Sequence, residues 1–419
     1  VRIAIIGTGI SGLTCAELLR RRHDVTVFEA QGRAGGHANT VTVALSDTTV
    51  AVDTGFLVYT EQAYPLLTRL FTRLGTPTQP ADMSFSVRDE QTGTEWRGTS
   101  PATVFAQPAN ALRVDFWRML IDIGRFNRSA RVLLANADRG GPGPTLAQFV
   151  ERGRWSKAFA DGYLIPIGSA IWSANPATFT DMPAVTFAAF FARHGLLRFG
   201  SQASWRTVSG GSRRYVHAIV DPLQRQGRLH LHTPVSKIRR SEHQVELLTA
   251  DGPASFDHVV VATHSDEALA LLADADRQER TVLGALRYQA NRAVLHTDAS
   301  LLPKAKRARA AWNYHRLVDQ PAVATLTYDI TRLQSLATRT PVLVTLNRDE
   351  AIEPDCILDR FDYAHPVVDT AAVAARDQWT TINGRRRTSF CGAYWGDGFH
   401  EDGVRSAVAA CAPLGAEPL

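Results

Sequence analysis

Lysine, cysteine and methionine are scarce in this chain, and no apolar stretch is long. Only four of its 46 basic residues are lysine: Lys157, Lys237, Lys304 and Lys306. Chemistry that depends on a lysine therefore has few places to sit. The four cysteines, Cys15, Cys356, Cys391 and Cys411, are scattered and form no Cys-x-x-Cys pair. That argues against a disulfide framework and against a structural zinc site. Cys15 falls in an apolar helical pattern and reads as a small core residue. No apolar run approaches the roughly 18–20 residues that span a bilayer. The first strand begins at Arg2, so no signal peptide is expected ahead of it. The expected location is cytoplasmic, with peripheral membrane association as an added option. Internal repeats and extended low-complexity segments are absent.

What is present is enough apolar material for a large core: 45% of 419 residues. The length suggests two or three compact units. Net charge is +5, with local basic runs at 20–22, 304–309 and 385–387. A solvated surface is the plainer reading of each run. Contact with anionic headgroups or an anionic substrate is the sharper one. Nucleic acid is not expected as a partner, because the runs accompany no recognisable nucleic-acid module.

The first thirty residues are the most informative. Residues 2–6 are a short β-branched run, read as a buried parallel strand. Gly7-Thr8-Gly9-Ile10-Ser11-Gly12 follows, then an apolar helical pattern through Leu13, Ala16, Leu18 and Leu19. Residues 24–30 alternate as a second strand and carry Glu29, 22 residues after Gly7. In such a turn Gly7 permits the sharp exit from the strand, Gly9 lets a pyrophosphate approach the backbone, and Gly12 allows close helix–sheet packing. The helix N-terminus offers free N–H groups to phosphate. Glu29 is placed to accept ribose hydroxyls. A tight strand–helix turn without ligand would not explain Glu29, so an adenine dinucleotide site is expected.

The next segment, Glu29-Ala30-Gln31-Gly32-Arg33-Ala34-Gly35-Gly36-His37, resembles the E-x-x-x-R-x-G-G stretch of the flavin-containing amine oxidase superfamily. The resemblance implies FAD, with this segment along the pyrophosphate and ribityl chain. "VDTGFLVY" at 52–59 resembles the next flavin-side segment, which adds Thr54, Gly55 and Phe56. Val235 falls where the family holds adenine through its backbone, and Thr263 falls in the family's A-T motif. "TSFCGAYWGDGFHEDGVRSA" at 388–407 resembles the last flavin segment, which adds Gly392, Tyr394, Phe399, His400 and Val404. There the N-terminal dipole of a helix would face the flavin ring. Two stretches, 53–87 and 390–404, look like a bacterial subgroup of FAD/NAD-binding oxidoreductases linked to fatty acyl modification. Relatives there include isomerases that move double bonds in polyunsaturated fatty acids.

The fold implied is α/β: a discontinuous Rossmann-type FAD-binding domain with an inserted α+β substrate domain, amine oxidase-like. Its cofactor pieces are expected at 1–80, 205–275 and 382–419. The substrate domain is expected at 81–204 and 276–381. Within it, residues 111–137 have the spacing of a long amphipathic helix, and 139–145 reads as a loop. Residues 186–197 are apolar nearly all round and read as buried, or as the wall of an acyl tunnel. Two strand-like runs near 322–347 suggest a mixed sheet.

Flavin carries hydride chemistry itself, and the protein's task is positioning. Tyr314 or His315 is a candidate proton donor to a carbon opposite the hydride. For a lone histidine, an ordinary structural role is the plainer reading. His230 and His232 share a strand face but lack a third ligand, so no metal is expected. Amine oxidases of the superfamily use a lysine at flavin N5. Only Lys304 and Lys306 fall in the relevant second insert, 276–381, and both lie in a surface-like basic run. With a single dinucleotide fingerprint, NADPH enters only as a transient electron donor. The first expectation is an FAD-dependent oxidoreductase acting on an unsaturated or methylene-bearing fatty acyl chain, free or on a phospholipid. Reduction, desaturation and isomerisation of a double bond all remain open. The alternatives are an amine oxidase and a non-catalytic flavin-binding partner of a lipid methyltransferase.

Overall fold

A computed structural model describes residues 1–137, 143–197, 204–320 and 323–419. Most of the loop expected at 139–145 lies outside those residues. Five parallel strands form the sheet that carries the glycine turn. Their spatial order is Leu229–His230, Asp24–Phe28, Arg2–Ile6, His258–Val261, Thr388–Phe390. Ile3 to Ile6 pair with His258 to Val261 on one side and with Val25 to Phe28 on the other. The central strands are solid β-branched runs, as strands covered on both faces must be. A three-stranded antiparallel unit, from Lys237 to Phe256, packs beside this sheet.

The helix Ile10–Leu19 is buried along its whole length. Small residues make that packing possible. A Cβ on Gly12 would lie 2.0 Å from the Gly7 carbonyl oxygen. The far side of this helix meets the C-terminal helix His400–Cys411, and there Cys15 Sγ comes within 3.6 Å of Cys391 Sγ. All four cysteines are free thiols. Hydrogen bonding with the Cys391 and Cys411 thiols, with burial added, holds the Cys15 thiol well above its ordinary range. Glu401, at the start of the C-terminal helix, accepts the Leu66 and Leu67 N–H groups at 3.1 and 3.0 Å. It thereby caps the helix Pro65–Leu74 from outside.

A second, seven-stranded sheet runs in the order Ile357–Pro366, Tyr288–His296, Leu343–Leu346, Thr325–Asp329, Trp312–Arg316, Phe85–Asp89, Thr94–Arg97. Its pairings are antiparallel except one: Trp312–Arg316 runs parallel to Phe85–Asp89. The hairpin at 85–97 therefore joins two distant stretches of chain in one mixed sheet. Helices cover one face, and the longest of them runs from Val114 to Ala135. Phe116, Met119, Ile123, Phe126 and Ala130 form its buried side. The helix Ala184–Arg193 buries Phe187, Phe190 and Phe191 in an aromatic cluster with Trp172 and Phe179. Phe187, Ala188, Phe190 and Phe191 are therefore core, while Ala192 faces solvent.

Candidate active site

The three glycines of the first turn occupy different spaces. Gly7 has φ +98°, and a Cβ there would sit 2.9 Å from the Ala262 carbonyl oxygen. Gly12 is closed in by backbone. Gly9 is the reverse: a Cβ there would meet nothing within 4 Å. The helix it caps has no acidic residue in its first turn and no side-chain cap, so Ile10 and Ser11 begin a bare positive end. Gly36 folds over this point, with its Cβ position 3.1 Å from Gly9 Cα. Gly35 has φ +120° and donates its N–H to the Thr8 carbonyl. Arg33 fastens the loop by donating to the Gly36 carbonyl at 2.9 Å.

Glu29 Oε2 accepts the Thr8 N–H at 3.0 Å and the Thr8 hydroxyl at 2.5 Å. Among the described residues Oε1 accepts only the Gln31 N–H, at 2.9 Å. A carboxylate oxygen takes two hydrogen bonds, so Oε1 keeps one acceptor position for a ribose hydroxyl. Glu29 thus serves the turn first and a ligand second. Ala30, beside it, is exposed, and Val235 is buried near Phe28. Ala262 N–H extends the central strand by bonding Ile6 O, which places Thr263 at the strand's carboxyl end. His230 stacks on Phe28, and His232 packs on Gly32. Among the described residues no group of three ligating side chains could hold a metal ion.

Beyond Gly36 the crevice runs between the two sheets and is lined by imidazoles. His37 stacks on Tyr363 at 4.8 Å, meets His365 edge-on at 5.3 Å and lies 6.4 Å from His264. His264 stacks on Tyr288, and His400 stacks on Phe56 at 3.8 Å. Each of these four histidines keeps some exposed surface in a densely packed surround. Burial pulls His365 down to about 4 and His400 to about 3, and holds His37 well below its ordinary value. At neutral pH these three rings are uncharged, each with one N–H to give and one nitrogen to accept. His365 Nδ1 meets the Asn291 amide at 2.9 Å, and His400 Nε2 meets Tyr215 Oη at 3.1 Å. His37 Nε2 is buried without a partner among the described residues.

Two further pieces frame the same space. Thr54 Oγ1 lies 2.7 Å from Tyr363 Oη and accepts from the Asn39 amide at 2.9 Å. A Cβ on Gly55 would strike the His37 carbonyl oxygen at 2.3 Å. From the other end, Gly403 brings the C-terminal helix against Ile10 and Ser11. Gly392 exchanges hydrogen bonds with Ser406, Val404 is fully buried, and Tyr394 is buried. Phe399 packs against Phe190 and Trp172. The N-terminus of this helix, whose dipole is expected to face the ring, already carries carboxylates. Asp402 accepts the Phe399 and Asp397 N–H groups, and Glu401 shares its first turn. Burial raises Asp402 to about 6.

Tyr314 and His315 do not converge. They are neighbours on one strand, so their side chains leave opposite faces. Tyr314 is buried beside a cleft of about 260 Å³ lined by Ile165, Pro166 and Arg316. His315 is held between Glu90, at 2.7 Å, and Arg348, at 2.7 Å. Across the sheet, three strands separate the strand of Tyr314 from that of Tyr363, a distance of roughly 19 Å. Neither residue therefore stands with the histidine cluster. Tyr363, His365 and Asn39 had no signal in the sequence, since no motif or period marks them.

The family model of flavin-containing amine oxidoreductases matches residues 10–303. The chain belongs to that family. AofH of Mycobacterium tuberculosis, which bears the name of a flavin-containing monoamine oxidase, is 29% identical over 279 residues. That match takes in 62% of this chain and 56% of AofH, so the chain spans little more than half of that relative. Solved structures share the fold. A fatty acid isomerase from P. acnes superposes with TM-score 0.70 at 16% identity, covering 99% of this chain and 98% of that one. Cyclohexylamine oxidase from Brevibacterium oxydans gives 0.67 at 17%, with the same coverage. No helix among the described residues is long and apolar enough to cross a membrane.

The crevice fits the family's cofactor on its own geometry. Open backbone at Gly9, the uncapped helix end, the spare acceptor on Glu29 and the unpartnered Nε2 of His37 are the groups such a cofactor could use.

Proposed function

We propose that this enzyme binds FAD in the crevice and acts on the hydrocarbon part of a fatty acyl chain by reducing, forming or shifting a carbon–carbon double bond. Bound there, FAD would supply hydride acceptance and return at N5. The residues in contact with it would be Gly9, Ile10, Ser11, Glu29, Gly36, His37, Gly55, Phe56, Thr263, Phe399 and His400. The observation that carries the substrate reading is the placement of the lysines. All four are exposed, and Lys304 and Lys306 sit on a surface turn against the 94–97 strand. No lysine reaches the crevice to assist oxygen, as the resemblance to amine oxidases would require. The wall beside Phe399 is aromatic, built with Phe190 and Trp172, and suits an apolar chain better than a charged amine. Neutral imidazoles at His37 and His365 would hold or pass a proton without adding charge to an apolar site.

The name of AofH favours a second reading, amine oxidation. One experiment separates the two. FAD-loaded protein is mixed anaerobically with amines, NADPH and unsaturated fatty acids or phospholipids in turn, while flavin absorbance and lipid products are followed. The acyl reading expects altered lipid products and no bleaching by amines. Rapid bleaching by an amine, with peroxide release in air, would overturn it. NADPH enters as an arm of this test, as a donor that binds only in passing.

A further inference from the structure

We propose that the solvent face of the long helix Val114–Ala135, with the 304–307 turn beside it, docks on an anionic phospholipid bilayer. The face is unusually apolar for solvent. Leu112 is 88% exposed, Val114 76%, Ile121 62% and Trp117 47%. At helical spacing, Val114, Trp117 and Ile121 form one ridge, and Arg118, Arg125 and Arg128 rise along the same side. That helix carries four arginines against two aspartates, and neither aspartate opposes an anionic surface. Asp115 is bound to Arg113 at 2.7 Å, and Asp122 is buried and bound to Arg125 at 2.5 Å.

The other basic runs are consumed within the fold, whereas in the 304–309 run only Arg309 is, donating to the Pro303 carbonyl at 3.0 Å. In the 20–22 run, Arg20 pairs with Glu17, Arg21 with Glu417, and Arg22 donates to the Gly415 carbonyl. In the 385–387 run, Arg385 and Arg386 pair with Asp276 and Asp274, and Arg387 donates to backbone carbonyls. Lys304, Lys306 and Arg307 are exposed and form no ion pair among the described residues. Neither do Arg118 and Arg128. The turn and the helix are mechanically joined. Glu95 accepts the Lys304 and Ala305 N–H groups, while its own backbone is held by Gln107 and Asn110, just ahead of the helix. Phe105 bridges to Trp117 at 5.2 Å.

An apolar ridge with an aromatic residue, flanked by unpaired cations, is the arrangement that lies in a headgroup layer. Aliphatic stems can stay with the acyl boundary while guanidinium groups meet phosphate. The charge selects anionic lipid over a neutral bilayer. The buried side of the same helix touches the substrate side of the molecule, since Met119 Sδ packs on Gly162, next to Asp161 of the Tyr314 cleft. The proposal goes beyond the acyl reading and does not depend on it.

The test is sedimentation of the full FAD-loaded chain with vesicles of phosphatidylcholine alone or with about 30% phosphatidylglycerol. Binding is expected to be at least about tenfold stronger on the anionic vesicles and to weaken in about 0.5 M salt. The pair V114Q/I121Q is expected to lose about tenfold, and so is K304E/K306E/R307E. Both variants alter exposed residues, so unchanged melting temperatures and flavin content serve as the folding control. Equal binding to both vesicle types, or variants that bind like wild type, would overturn the proposal. A dimer in sedimentation velocity that I121Q disperses, with no vesicle binding, would assign the face to a second copy of this chain instead. The readout is binding, so protein that binds vesicles but ignores acyl substrates would refute the acyl reading alone.

Discussion

Gly9 and Gly12 are three residues apart, yet the space around them predicts opposite failures. At Gly9 the backbone is extended, with φ −62° and ψ 176°, which alanine adopts freely. G9A is therefore expected to fold with an unchanged melting temperature when flavin-free. Its methyl group would project where phosphate must approach, and flavin affinity should fall about tenfold or more, or about 1.4 kcal/mol. G12A places a methyl 2.0 Å from a backbone oxygen. It should cost about 3 kcal/mol of stability before any ligand is considered. Denaturant titration of the flavin-free proteins, with flavin binding measured separately, checks both. The buried histidines make a second residue-scale prediction. His194, His258, His296 and His365 lie near 4 when folded and take up protons at about 6.5 when unfolded. Between those values the unfolded state binds more protons, so stability falls as pH drops from about 6.5 to about 4. Asp53 and Asp402, raised to about 6, oppose this, because the folded state protonates them first. The histidines outnumber them, so net acid destabilisation is expected in urea midpoints. H365Q should flatten that slope by up to about one proton.

At the scale of elements, the attachments between helices and strands are carried by single buried carboxylates. Glu401 satisfies two orphan N–H groups of the helix Pro65–Leu74 and belongs to another helix entirely. E401A should cost about 2 kcal/mol, the upper end of the range for a lost cap, because the donors it serves have no water to replace it. Arg240, with no side-chain exposure, bonds Glu279 and Asp274. It fastens the antiparallel unit at 237–256 to the helix Arg277–Gly284. E279A should cost about 3–5 kcal/mol by leaving a buried charge unpaired. The double change R240M/E279L is expected to recover most of that loss, since both desolvated charges go together. Equilibrium denaturation of the single and double variants distinguishes a charge effect from lost packing.

For the whole molecule, exposed lysines lead to a sharp expectation: replacing Lys157, Lys237, Lys304 and Lys306 with arginine should leave flavin reduction and reoxidation rates within about twofold. A large fall in reoxidation would bring back a lysine at the flavin. How much of the site was legible follows the same scale. The turn at Gly7, Gly9 and Gly12 is local, and each glycine's need is stated by the strand before it and the helix after it. Glu29 could be placed, but its prior engagement with Thr8 could not, because that contact closes across the turn. Tyr363 meets Asn39 across 324 residues of chain. No period or motif reports such a meeting. Tyr314 and His315 are indistinguishable as candidate donors in the sequence, and only the strand's alternation sends them to opposite faces. The cysteines that lie far apart along the chain come together because a helix at each end of it packs on one sheet.

By itself the sequence determined the parallel core, the glycine turn and the family, for these depend on residues within one supersecondary unit. Tertiary structure alone decided which imidazoles share the crevice, which cations remain free and which carboxylates are already taken. The reason is physical. A propensity or a glycine acts on its own few neighbours, whereas burial, charge pairing and desolvation belong to whatever the chain brings together.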